Sequence, residues 1–224
     1  NIPLTTQSPN LQMTFEAATR IDSSSISNKS HIAVEKAELH SFGITAAPLT
    51  AGFVFDIDAD TDMQQTHKVT MKGDKFRLVT AQKTFTPAPL YMQGATSPEM
   101  SYVRMNTGDL NINSTLDTGY MNLLAAFERI KELYTQTRYS EKSLFYAQDF
   151  EKELPAISVD IECGQKNIVA NFLRFHKVEF SDFNLHVAID SLKGINSAGG
   201  LYNLKKEDMQ IDTLRFFMRQ NENK

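Results

Sequence analysis

The fold turns on the stretch Leu110-Asn111-Ile112-Asn113-Ser114-Thr115-Leu116-Asp117-Thr118-Gly119-Tyr120. Up to Leu116 the period is two. Leu110, Ile112 and Leu116 face one way, and Asp109, Asn111, Asn113, Thr115 and Asp117 face the other, as in a strand with one dry and one wet side. From Thr118 the period becomes helical, through Tyr120, Leu123, Leu124, Phe127, Ile130 and Tyr134. Thr118 is the expected N-cap, and Gly119 fits a first turn poorly. A second helix is expected from Ser140 through Leu144, Phe145 and Phe150, stopped by Pro155. Alternation then returns in Ile157, Val159, Ile161 and Cys163. A helical insert within about residues 118–153, set between strands, needs a surface to cover, and the dry side of a sheet supplies one.

The same alternation runs outward in both directions. Upstream, Leu11, Met13, Phe15, Ala17 and Ile21 alternate with polar neighbours. Residues 31–46 continue extended, with a parity change that predicts a bulge or break near Glu35. Phe53, Phe55, Ile57 and Ala59 alternate with Asp56, Asp58 and Asp60, and Lys68 to Val79 is a further strand with a kink at Gly73. Pro87, Pro89, Gly94 and Pro98 mark residues 86–98 as a loop or edge segment. Val103 to Leu116 is expected as one strand. Downstream, a short helix is expected from Asn167 to Phe175. Phe183, Leu185, Val187 and Ile189 share a face, and Gly199-Gly200 is expected as a turn or strand entry. In residues 201–219 a bulge at Asp212-Thr213 would keep Met209, Ile211, Leu214, Phe216 and Met218 on one side.

The whole chain, 1–224, is therefore expected as a single mainly β segment: an antiparallel sheet with a helical insert. A hydrophobic fraction of 41% with 22% charged residues suits a packed domain rather than disorder. The net charge of -4 and the lack of a basic stripe argue against nucleic acid. The single cysteine, Cys163, allows no internal disulfide and reads as a buried structural thiol. The chain opens at Asn1-Ile2-Pro3 without methionine and is expected to be an excised piece of something longer.

No constellation for catalysis stands out. The carboxylates of Asp56, Asp58, Asp60 and Asp62 resemble a calcium loop. However, Thr61 and His67 stand where such a loop needs glycine and glutamate, so a solvated strand face is the better reading. No two of His31, His40, His67, His176 and His186 lie at metal spacing. There is no nucleophile elbow, phosphate loop or dinucleotide glycine pattern. The expectation is a protein that is not an enzyme and needs no cofactor. What remains is the dry parity set Phe53, Phe55, Ile57, Leu110, Ile112, Phe183, Leu185, Val187 and Ile189. It would form either the core of a closed β-sandwich, a module binding protein or glycan through its loops, or the lining of an apolar groove for acyl chains.

Three blocks carry a resemblance. They are Val34-Glu35-Lys36-Ala37-Glu38-Leu39 with Ala47-Pro48-Leu49-Thr50-Ala51-Gly52, then Asn106-Thr107-Gly108-Asp109-Leu110 leading into Tyr120, then Leu154-Pro155-Ala156, Gly164-Gln165-Lys166-Asn167, Phe172-Leu173 and Tyr202-Asn203-Leu204 with Asp208 and Asp212-Thr213-Leu214. In this order they are similar to a segment of TamB-like proteins of the Bacteroidetes, in the AsmA and TamB group. The resemblance implies a curved, taco-like antiparallel trough with an apolar interior. It implies a periplasmic location in a parent anchored in the inner membrane. The implied role is outer-membrane biogenesis, by phospholipid transfer or insertion of outer-membrane proteins, with an outer-membrane assembly component as partner.

The acidic strand gives a first testable outcome. Replacing Asp56, Asp58 or Asp60 with asparagine is expected to change stability by no more than about 0.5 kcal/mol each. Millimolar calcium is expected to leave the melting temperature unchanged, and a rise of several degrees would restore the metal reading.

Overall fold

The computed structural model describes residues 3–139, 155–190 and 194–219. They form a single open antiparallel sheet of fourteen strands. The first five are β1 (Leu4–Gln7), β2 (Leu11–Ile21), β3 (Ile26–Glu38), β4 (Thr50–Thr61) and β5 (His67–Val79). Then come β6 (Thr84–Phe85), β7 (Leu90–Thr96), β8 (Ser101–Thr107) and β9 (Leu110–Leu116). Helix α1 (Tyr120–Tyr139) joins β9 to β10 (Ile157–Cys163), and α2 (Ile168–Phe175) follows. The chain closes with β11 (Val178–Glu179), β12 (Asp182–Asp190), β13 (Gly194–Lys206) and β14 (Met209–Arg219). Long strands pair with their sequence neighbours in a meander, and β1 and β14 lie at opposite edges. The strands do not divide into two facing sheets, so the closed sandwich is not the architecture formed.

Several local expectations are met. A bulge falls at Glu35, where the pairing of β3 shifts against both β2 and β4. Helix α2 starts after Asn167, whose side chain accepts the Ala170 N–H as an N-cap. The expected second helix of the insert lies outside the described residues.

Other expectations are corrected. Residues 103–116 are two strands, because Gly108 takes φ +60 and turns the chain before Asp109. Residues 86–98 contain β7, paired on both sides with β5 and β8, since Pro87, Pro89 and Pro98 flank the ladder instead of interrupting it. Gly199-Gly200 lies inside β13, not at a turn. The bulge expected at Asp212-Thr213 is absent: β13 and β14 hold one register throughout, with Asn203, at φ +53, opposite Asp212 and unbridged, so Met209 and Ile211 keep the other parity from Leu214, Phe216 and Met218. Thr118 does not cap α1. Its hydroxyl accepts from Asn122 Nδ2, while the carbonyl of Gly119 receives the N–H groups of Asn122 and Leu123. Gly119 suits that position because a Cβ there would meet the Ser97 carbonyl at 2.7 Å.

A sheet without a second layer buries little. The tightest packing is a cluster of Leu110, Cys163, Ala170 and Phe180, where α2 folds against the ends of β9, β10 and β12. Leu110 is 3% exposed. Burial pushes the Cys163 thiol up, with the nearby Asp109 charge adding to it, which suits a structural cysteine.

Beside this cluster two loops interlock. The Asp109 carboxylate accepts the Lys166 N–H at 2.8–2.9 Å and the Asn167 side-chain amide at 2.7 Å. Asn167 is fully buried and also donates to the Gly164 carbonyl. Gly108 packs on the Lys166 carbonyl and Gly164 on the Asp109 carboxylate, leaving no room for a Cβ at either place. Burial is the largest influence on Asp109 and pulls its pKa upward. The bonds from Asn167 and Lys166 outweigh it and hold the group below its ordinary 3.8.

A depressed carboxylate stabilises the fold fully above its unfolded value, and that contribution is lost as pH falls through the folded one. Asp109→Ala, which leaves the buried Asn167 amide short of an acceptor, is expected to cost about 1–3 kcal/mol at neutral pH. Thermal unfolding at descending pH should show the gap from the parent closing below about pH 4. A gap that persists unchanged in acid would show that the Asp109 charge is not what holds the loops together.

Candidate functional site

Directly opposed residues of antiparallel strands share a face, so the registers trace the dry side across the sheet. One row runs Leu4, Phe15, Ile32, Phe55, Gly73, Leu90, Thr107, Leu110, Cys163, Phe183, Leu201 and Leu214. The next runs Ile57, Met71, Met92, Met105, Ile112, Ile161, Leu185, Gly199 and Phe216. A third contains Val69, Val103, Val159 and Val187, and a fourth ends in Leu116, Ile157, Ile189 and Ile195. Phe53 stands opposite Val34 beside the first row.

The structure thus brings Phe53, Phe55, Ile57, Leu110, Ile112, Phe183, Leu185, Val187 and Ile189 onto one face of one sheet. Leu110 is buried in the cluster, and the other eight are half-buried. Ile112 and Phe183 pack against the cluster, whereas Leu185 stands outside it. From Ile57 on β4 to Leu185 on β12 the row crosses six strand spacings, about 29 Å.

Sequence reading missed the centre of this row. Met71, Met92 and Met105 lie abreast on β5, β7 and β8. The signal was the alternation Leu90, Met92, Gly94 between prolines, which proline counting masked. Thioether side chains have no branch at Cβ and adapt to irregular apolar partners. Two glycines on this face are covered by neighbouring rings: Phe55 and Phe76 close over Gly73, and Phe216 over Gly199. Phe53, Phe55 and Phe76 form a connected aromatic group, with centroids 5.1 and 5.6 Å apart.

At one rim the dry face turns polar. Thr61, His67, Thr96 and Ser101 are consecutive partners across β4, β5, β7 and β8. Helix α1 is fastened there: Thr96 Oγ1 accepts the Tyr120 N–H at 3.2 Å, Ser101 Oγ donates to the Thr118 carbonyl, and the Tyr120 ring meets His67 edge-on. The insert therefore begins on the apolar side of the sheet. Met121, Leu124 and Phe127 form a stripe on α1 that remains about half exposed.

The opposite face is polar and carries cross-strand polar pairs. His31 Nδ1 lies 2.6 Å from Asp56 Oδ1, and Lys29 lies 3.6 Å from Asp58. Asp62 accepts the N–H groups of Thr66 and Gln64, which hold its carboxyl below the usual range, so it is a turn residue. Among the described residues no group of three or more His, Cys, Asp and Glu side chains is placed to hold a metal ion. No helix among them is long and apolar enough to cross a membrane.

Comparisons with protein-family models, with curated proteins and with solved structures returned no match.

Proposed function

We propose that this chain is a non-enzymatic section of a periplasmic envelope-biogenesis scaffold that holds acyl chains on its apolar sheet face. One observation carries the reading. One row, from Ile57 through Met71, Met92, Met105, Ile112 and Ile161 to Leu185, is apolar at every strand it crosses in an open sheet, and its residues are half-buried instead of packed under a second layer. The 29 Å span of the central row exceeds the roughly 15 Å that one leaflet contributes to a bilayer's hydrocarbon core, so a single acyl chain fits along it. A lipid chain laid along it would gain about 0.8 kcal/mol for each methylene removed from water. The start of α1 on the same side suits a cover for one end of the groove. Phospholipid is the favoured cargo, and an unfolded outer-membrane protein segment would present the same apolar chemistry. The envelope location and an outer-membrane assembly partner rest on the three TamB-like sequence blocks. Two of those blocks supply the halves of the Asp109–Asn167 interlock.

Charge substitutions at two depths separate lining from core. Leu185→Glu, outside the buried cluster, is expected to abolish retention of a fluorescent phospholipid while thermal unfolding stays cooperative with a loss of about 1 kcal/mol or less. Leu110→Glu, inside it, should unfold the protein through an unpaired buried charge costing several kcal/mol. Ile112→Lys should fall between the two, because Ile112 touches the cluster. Native mass spectrometry of the parent protein should show co-purified phospholipid. No lipid on the parent, or equal lipid on Leu185→Glu, would end the groove reading.

A further inference from the structure

The polar face holds a second concavity. Ala198-Gly199-Gly200 lies in the interior of β13, where small residues weaken a strand but let another group come close. Above Ala198 and Gly199 is a hollow of about 550 Å3, within the size range of small-ligand sites.

Its walls follow from the registers. Asp160, His186, Ala198 and Phe217 are consecutive partners across β10, β12, β13 and β14. Ala198 is the floor. On one side His186 Nδ1 sits 2.6 Å from Asp160 Oδ1. On the other stands Phe217, 70% exposed. These two walls are two strand spacings apart, about 10 Å. In the neighbouring row Gly200 lies under the Tyr202 ring, and the Arg215 guanidinium stacks 5.7 Å from that ring's centroid.

The chemistry selects a ligand class. The carboxylate and imidazole wall accepts hydrogen bonds, Arg215 donates them, and Phe217 offers a flat apolar face. Sugar hydroxyls both donate and accept, while the C–H face of a pyranose ring can lie against an aromatic ring. Asp160 and Glu162 in the lining oppose a phosphate or carboxylate ligand. A hollow of about 500 Å3 around the equivalent His31–Asp56 pair has the polar wall without an aromatic one, so it lacks the stacking surface.

We propose that the hollow over Ala198-Gly199 binds one or two rings of a neutral glycan. The site lies on the opposite face from the acyl groove and does not depend on it.

The test uses cellobiose and chitobiose, followed by saturation-transfer NMR and calorimetry on the full 224-residue chain. The parent is expected to bind at least one of them. Phe217→Ala should weaken binding about tenfold or more. Ala198→Phe, which fills the floor, should abolish it. Asp160→Asn at an exposed position should weaken it without moving the melting temperature, and it decides the matter if Ala198→Phe does not fold. Phospholipid retention should be unchanged in all three. No saturation transfer from either sugar at millimolar concentration, or parental affinity in both Phe217→Ala and Asp160→Asn, would overturn the proposal.

Discussion

Each hairpin of this sheet must hand the apolar parity to the next strand unchanged. Side chains alternate with a period of two, so a one-residue slip would turn a whole row of phenylalanines and methionines to water and bring aspartates inside. The irregularities around Glu35 respect this constraint. The bulge at Glu35 lets Val34 and Ala37, which differ in parity, both be buried. The shift in β4–β5 pairing falls between Gly52 and Val54, where the glycine packs close on the Glu35 carbonyl. Bulges in adjacent strands therefore touch, and the register recovers on the far side with Phe55 opposite Gly73.

Stability in a single-layer sheet is correspondingly uneven. Most dry-face residues lose only part of their solvent exposure, so each contributes a fraction of what full burial would give. The deficit is offset at one end, where α2 supplies the missing second layer over Leu110 and Cys163. That end is also where backbone turns are most constrained. Gly108, Asp109, Gly164 and Asn167 form one interlocked unit in which two glycines are required by close approach and a buried amide needs its carboxylate partner. The opposite rim has only the polar ladder and the foot of α1, with Met121, Leu124 and Phe127 exposed. Local opening is therefore expected first at the α1 rim.

How far the sequence revealed this depended on whether a signal was local. Alternation on the long strands, the change of period after Leu116, the break at Glu35 and the helix after Asn167 each follow from residues within one element, and all were legible. The nine dry-face candidates were legible for the same reason, since parity alone assigns them once a strand is recognised. What escaped was set by partners distant in the chain. Strand β7 forms because β5 and β8 offer ladders on both sides, and its prolines happen to lie just outside. Gly119 rather than Thr118 starts α1 because the Ser97 carbonyl occupies the space of a Cβ. Gly199-Gly200 stays extended because Asn184 and Leu185 on one side and Arg215 and Phe216 on the other hold it in the sheet. No window of one sequence contains those facts.

The two faces then follow different rules, although every strand feeds both. On the dry side, continuity matters more than any single residue: rings close over two of its glycines, Phe55 over Gly73 and Phe216 over Gly199. On the wet side, discontinuity is allowed, and the small residues of β13 open a hollow between an acid–imidazole pair and an aromatic edge. The same dipeptide serves both. Gly199 lies beneath Phe216 and completes the apolar row, while Gly200 lies beneath Tyr202 on the polar face. A side chain at Gly199 would displace Phe216, and one at Gly200 would displace Tyr202, so the two positions tie the lining of one face to the shape of the other.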